Sequence, residues 1–207
     1  MATWAMAAEA RTDFADLIDG LSPEQLEMPS LCDEWTARGV LAHLTSFVEV
    51  GLGSMFLHMV KNKFDFDRVS ISMAAPQLER SAADVVRDLR TKAAKSAPLP
   101  MFPEAMTMTD VAIHTQDLRR PLGLDGTLDP EVLRAALEFL TTHKMAATLI
   151  PNRPTLEGVR LVACDLDWSH GSGPEIRGTG EAILMALANR DVVSELTGDG
   201  LATWASA

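Results

Sequence analysis

Tyrosine is absent from these 207 residues, and aromatic side chains make up only 5% of them. Strand-rich sandwiches and barrels draw on aromatic and β-branched residues, so this scarcity argues against an all-β protein. Basic residues are also in short supply: 18 Lys and Arg stand against 29 Asp and Glu, a net charge of -11 with no Lys/Arg block. Nucleic acid and anionic membrane surfaces are thereby disfavoured as partners. Two cysteines, Cys32 and Cys164, cannot build a disulfide framework. No run approaches the ~18 consecutive apolar residues of a membrane span. The start Met-Ala-Thr-Trp-Ala-Met lacks the charged and apolar regions of a signal peptide. A cytoplasmic protein is the simplest expectation.

What is present is a helical composition. Hydrophobic residues reach 47%, with Ala, Leu and Met abundant, enough for a substantial core. Periodicity predicts an amphipathic helix over residues 3–19. Ser22-Pro23-Glu24-Gln25 is a start signal for a short second helix. Thr36 can cap a long helix to about residue 61, with Val40, Leu44, Phe47, Gly51, Met55 and Met59 on its core stripe. Residues 62–76 are mixed in character and carry no assignment. Helix returns over 78–94, and Pro98, Pro100 and Pro103 enforce an extended link. A further helix is expected from about residue 107 or 109 to Arg120, stopped by Pro121. Asp129-Pro130-Glu131 opens another, running to about residue 150. The texture then changes. Alternating residues from Val159 to Trp168 predict a strand, Ser169 to Pro174 a turn, Glu175 to Gly178 a return strand, and 181–189 a helix. The expected organisation is a helical bundle over 1–150 and a small α/β tail over 151–207, packed on the bundle or on a partner copy.

Chemistry concentrates in the stretch from Thr109 to Leu118. In a helix, Asp110, His114 and Asp117 stand at i, i+4 and i+7 on one face. His43, within Val40-Leu41-Ala42-His43-Leu44, is the candidate to join them from another helix. Two ligands one turn apart plus one from a second helix suit a divalent ion. The plainer alternatives are a hydrogen-bonded core histidine at 43 and a solvated Asp110–His114 pair. Asp117 either orients His114 or pairs with Arg119 or Arg120. His58 lies too far along its helix to join the site, and His143 and His170 read as surface residues.

The stretch Cys32-Asp33-Glu34-Trp35-Thr36 through Val40 and His43-Leu44 resembles the C-x-x-W-T-x-x-x-V-x-x-H-L signature of the mycothiol-dependent maleylpyruvate isomerase family, part of the DinB-like superfamily. Asp110, His114 and Asp117 are similar to its later E-x-x-x-H-x-x-D motif, with Asp in place of Glu. Ala163-Cys164-Asp165, Trp168, Gly171, Gly173-Pro174 and Leu187-Ala188-Asn189-Arg190 look like its C-terminal tail. This resemblance implies a mainly α protein, a DinB-like four-helix bundle followed by a β-hairpin and helix. It implies a divalent ion, zinc first, with nickel or iron as alternatives, on His43, Asp110 and His114, one position staying open for water or a thiolate. Mycothiol is then the co-substrate of an isomerase or thiol transferase. In the isomerase the thiolate adds to a conjugated cis double bond, permits rotation and leaves. Arg190 is the expected contact to a substrate carboxylate, ahead of Arg119 and Arg120. The competing expectations are a non-catalytic metal or small-ligand binding protein, and a helical dimerisation module. A homodimer through a hairpin edge or the bundle fits the same pattern.

Overall fold

The computed structural model describes residues 3–32, 35–95, 102–151 and 153–204. It forms two compact units, divided after Leu124. The division expected after residue 150 falls inside the second of them.

In the first unit, α1 (Trp4–Asp19) is capped by Thr3, and α2 (Pro23–Leu26) by Ser22 in a reciprocal capping box with Gln25. Thr36 caps α3 (Ala37–Glu49), as its sequence suggested. The long helix expected over 36–61 is in fact two. The chain turns extended at Val50 and Gly51, and α4 (Leu52–Lys61) restarts with Gly51 as a cap that offers no side chain. The unassigned segment supplies α5 (Phe66–Leu78), capped by Asp65. Ser81 caps α6 (Ala82–Thr91). Pro98 and Pro100 lie outside the described residues; Pro103 caps α7 (Glu104–Leu122).

The α7 helix is longer at both ends than expected and runs through Pro121. That proline has no amide to offer the carbonyl of Asp117. The carbonyl instead accepts from the Leu31 amide at 3.0 Å, which ties the loop before α3 to α7. Gly123, at φ 62°, then ends the helix in the left-handed conformation that glycine adopts without strain.

Four of these helices, α1, α3, α6 and α7, share one core. Phe14 and Ile18 meet Val40, Leu41 and Leu44, with Val85, Val86 and Leu89 from α6 and Val111 and Leu118 from α7. Each buried aliphatic side chain contributes about 1.5–3 kcal/mol. A second, smaller core joins Met55 of α4 to Val69 and Met73 of α5. Glu49, Arg80, Asp88 and Lys92 form an ion-pair network across α3 and α6, with Arg80 to Asp88 at 2.5 Å and Lys92 to Glu49 at 2.6 Å.

The second unit holds α8 (Pro130–Thr142), α9 (Ala146–Leu149), β1 (Arg160–Ala163), β2 (Ser169–Gly171), β3 (Glu175–Gly178), α10 (Gly180–Leu187) and α11 (Gly200–Trp204). The helix expected from 130 to 150 breaks at His143, whose ring stacks on Phe139 and is half-buried rather than superficial. His170 likewise stacks on Trp168. The predicted hairpin becomes three strands in the order β2-β1-β3. The long first strand stops at Ala163, β2 pairs antiparallel with it, and β3 lies parallel to it on the other side. The fold is therefore mainly helical with a small sheet near the C-terminus.

Arg80 holds the Asp88 carboxyl down to about 2. Its usual unfolded value is near 3.9, so the stabilisation is present above that value and disappears as pH falls from about 4 to about 2. Asp88→Asn should cost about 0.5–1 kcal/mol in denaturant melts at pH 7, with the difference from wild type vanishing near pH 2. Equal melts at pH 7 would remove the network from the account.

Candidate metal centre

The centre is built from α3 and α7. The first helix is anchored by its Thr36 cap and by Val40 and Leu44, which fixes the direction of His43. From Met108 to Leu118 the second is buried on nearly every side, Asp110 excepted. Its threonines are satisfied locally: Thr109 and Thr115 donate to Ala105 and Val111 carbonyls at 2.7 and 2.8 Å. That leaves Asp110, His114 and Asp117 on the face turned to His43.

Among the described residues, His43, Asp110 and His114 each bring one ligand atom within 4.8 Å of the others. The Nε2 atom of His43 lies 3.4 Å from Asp110 Oδ2, and that of His114 lies 3.6 Å from Asp110 Oδ1. The imidazole rings sit 4.9 Å apart, centroid to centroid. Each ring's other nitrogen is engaged elsewhere. His43 Nδ1 meets Ser70 Oγ at 2.6 Å, and His114 Nδ1 meets Asp117 Oδ2 at 2.9 Å. Assigning the ring protons to those contacts turns both Nε2 lone pairs toward one carboxylate.

With the protons so assigned, the cluster has acceptors and no donor. His43 Nε2 is buried and makes no hydrogen bond among the described residues. Burial pushes the His43 imidazolium below its ordinary range, against the pull of Asp110, so the ring is neutral near pH 7. Burial opposes ionisation of Asp110, but His43, His114 and Arg11 outweigh it and hold the carboxyl below its usual value. Two imidazoles and one carboxylate are the side-chain types of a zinc donor set, which a cation binds with both rings neutral. Zinc with bonds of ~2.1 Å would set its tetrahedral ligands ~3.4 Å apart, close to the spacings found. The residues fit a divalent ion.

Asp117 is fully buried, and it accepts from the ring that it orients. Arg120 Nε donates to Gln116 Oε1 at 3.3 Å. Cys32 places Sγ within 4.8 Å of ligand atoms on His114 and Asp117. His58 stands apart, bonded to Ser72 at 2.6 Å. Arg190 belongs to the second unit, just after α10, where its guanidinium donates to the Ala188 carbonyl at 2.6 Å.

Sequence reasoning missed two contributors. Ser70 comes from the stretch without periodicity, and only the pairing of α5 with α3 brings it to His43. Arg11 is buried on α1, donating to the Ala93 and Lys95 carbonyls at 2.8 and 2.7 Å. Desolvation lowers it to about 10, and the charge of Asp110 counters that loss. A charged residue on an otherwise apolar face was the one signal available. Trp35 and Phe47 set their ring edges against His43 at 5.0 and 5.1 Å and wall it in apolar surface.

Comparison with known proteins agrees with this architecture. Residues 7–98 match the family model described as the mycothiol maleylpyruvate isomerase N-terminal domain. No curated protein sequence matches. Among solved structures, the mycothiol-dependent maleylpyruvate isomerase superposes with a TM-score of 0.63 at 14% identity, covering 95% of this chain and 91% of that one. A histidine-to-alanine mutant of the same isomerase gives the same values. No described helix is long and apolar enough to cross a membrane. Residues 7–98 thus resemble the mycothiol maleylpyruvate isomerase N-terminal domain, and the chain shares the fold of that solved isomerase.

Proposed function

We propose that this protein is a cytoplasmic, metal- and mycothiol-dependent isomerase or thiol transferase, acting on a small electrophile that bears a carboxylate. The observation that carries the reading is the convergence of one ligand atom each from His43, Asp110 and His114 within 4.8 Å of one another, which a divalent ion, zinc first, would complete. The family match and the shared fold support the choice of thiol and of reaction class. A bound zinc lowers the pKa of a coordinated thiol and offers a thiolate at neutral pH.

The chain's own residues then have distinct tasks. Asp117 lies 2.9 Å from His114 Nδ1 and favours the tautomer whose Nε2 can serve as a ligand. Ser70 does the same for His43. Among the three ligands Asp110 supplies the one negative charge, so the ligand set itself leaves part of a divalent ion's charge to attract an anionic thiolate. Trp35 and Phe47 exclude water from the His43 side. Arg190 is assigned the substrate carboxylate, where a planar guanidinium can donate two parallel hydrogen bonds. A second reading keeps the fold and the ion without the reaction, as a metal or small-ligand binding protein.

Titration with zinc should give one ion per chain, and His114→Ala or His43→Ala should weaken binding at least ~100-fold. Asp117→Asn should retain the helical spectrum and lose ~10–100-fold in affinity. Failure of wild type to bind any of zinc, nickel or iron would end the proposal. Incubation with mycothiol and maleylpyruvate, or with a generic electrophile, should show turnover that disappears in His43→Ala. Arg190→Ala should raise KM about tenfold with the metal content unchanged. Metal binding without turnover on either type of substrate would favour the second reading.

A further inference from the structure

Helix α4 wears its apolar residues on the wrong side for a monomer. Met55 and the half-buried Met59 face Val69 and Met73 in the smaller core. The adjoining side carries Leu52, Phe56, Leu57 and Val60, and Phe64 and Phe66 follow in and after the turn; all six are between 43% and 62% exposed. The α4 residues recur at i, i+4, i+5 and i+8, a continuous stripe. None of it is needed to hold α4 on α5.

The turn is itself strained. Lys63 and Phe64 have φ of 54° and 61°, and neither is glycine. Two consecutive left-handed residues of this kind are unfavourable, because each crowds its Cβ against the backbone. Their effect is to stop α4 abruptly and keep the Phe64 ring in solvent beside the helix. Half-exposed Leu and Phe side chains present about 100 Å² apiece, so the six amount to about 600 Å². That is the upper end of what a monomer leaves bare, and most of the ~800 Å² that each partner contributes to a stable interface.

We propose that a second copy of this chain docks on this α4 surface, α4 against α4, across a two-fold axis. Charge favours this occupant. Residues 61–68 hold Lys61, Lys63 and Arg68 beside Asp65 and Asp67, a mixed rim on a chain of net charge -11. Arg68 already pairs with Asp65 at 3.3 Å within the chain, so a two-fold contact has Lys61 and Lys63 of one copy to set against Asp67 of the other. An anionic lipid surface would meet the repulsion of the whole chain instead. Strand edges compete poorly: β2 has three residues, and Thr197 bridges Arg177 on the outer side of β3. The proposal is independent of any metal or reaction.

Sedimentation velocity on the full chain at about 50 μM should give twice the monomer mass of 22.4 kDa. Phe56→Glu and Val60→Glu should each raise the dimer dissociation constant roughly hundredfold, since each places a charge in the contact. Both side chains are exposed, so the helical spectrum and melting temperature of the monomer should be unchanged. A wild-type chain that stays monomeric at that concentration would overturn the proposal, and so would a dimer that survives both substitutions. Monomers that co-sediment with phosphatidylglycerol vesicles through Phe56 would overturn it in favour of a lipid surface.

Discussion

Three groups able to donate an electron pair face one another between α3 and α7. Two imidazoles present Nε2 to the same carboxylate at 3.4 and 3.6 Å, while their Nδ1 atoms are committed to Ser70 and Asp117. Donor lone pairs buried against each other repel, and a cation between them removes the repulsion. The surrounding structure keeps the cluster from relaxing. The Thr36 cap, the Leu31–Asp117 backbone bond and the Phe14–Leu41–Leu118 core fix both helices independently of the site.

This division of labour explains how a site of high charge density survives in a bundle of apolar side chains. Core burial supplies the stability, and the site draws on it. Arg11 illustrates the cost. Its guanidinium is buried enough to lose affinity for its proton, yet it is retained where it favours the ionised form of Asp110. Backbone carbonyls of Ala93 and Lys95 satisfy two of its donors, so the charge does not have to reach solvent.

Much of the arrangement was legible in the residues. Spacing alone put Asp110, His114 and Asp117 on one face, and caps at Ser22, Thr36 and Asp129 marked real helix starts. The errors have physical causes. Gly51 broke a helix whose apolar stripe continued across it, because a stripe records which side is buried and not whether the backbone is continuous. Pro121 failed to stop α7, since a distant amide took the carbonyl that the proline leaves unpaired. The parallel pairing of β3 with β1 depends on tertiary contacts that alternation cannot encode. Ser70 was illegible for the same reason: its role arises from the packing of α5 on α3, and nothing in its local sequence announces it.

X-ray absorption at the zinc edge, on zinc-loaded protein free of added thiol, tests the central claim most directly. The account predicts two imidazole nitrogens at ~2.0–2.1 Å and a carboxylate oxygen at ~2.0–2.2 Å, with the imidazole signal falling to one ring in His43→Ala. A sulfur neighbour at ~2.3 Å would contradict it, because the ion would then sit on Cys32 with the far side of His114. A spectrum without imidazole would contradict it altogether.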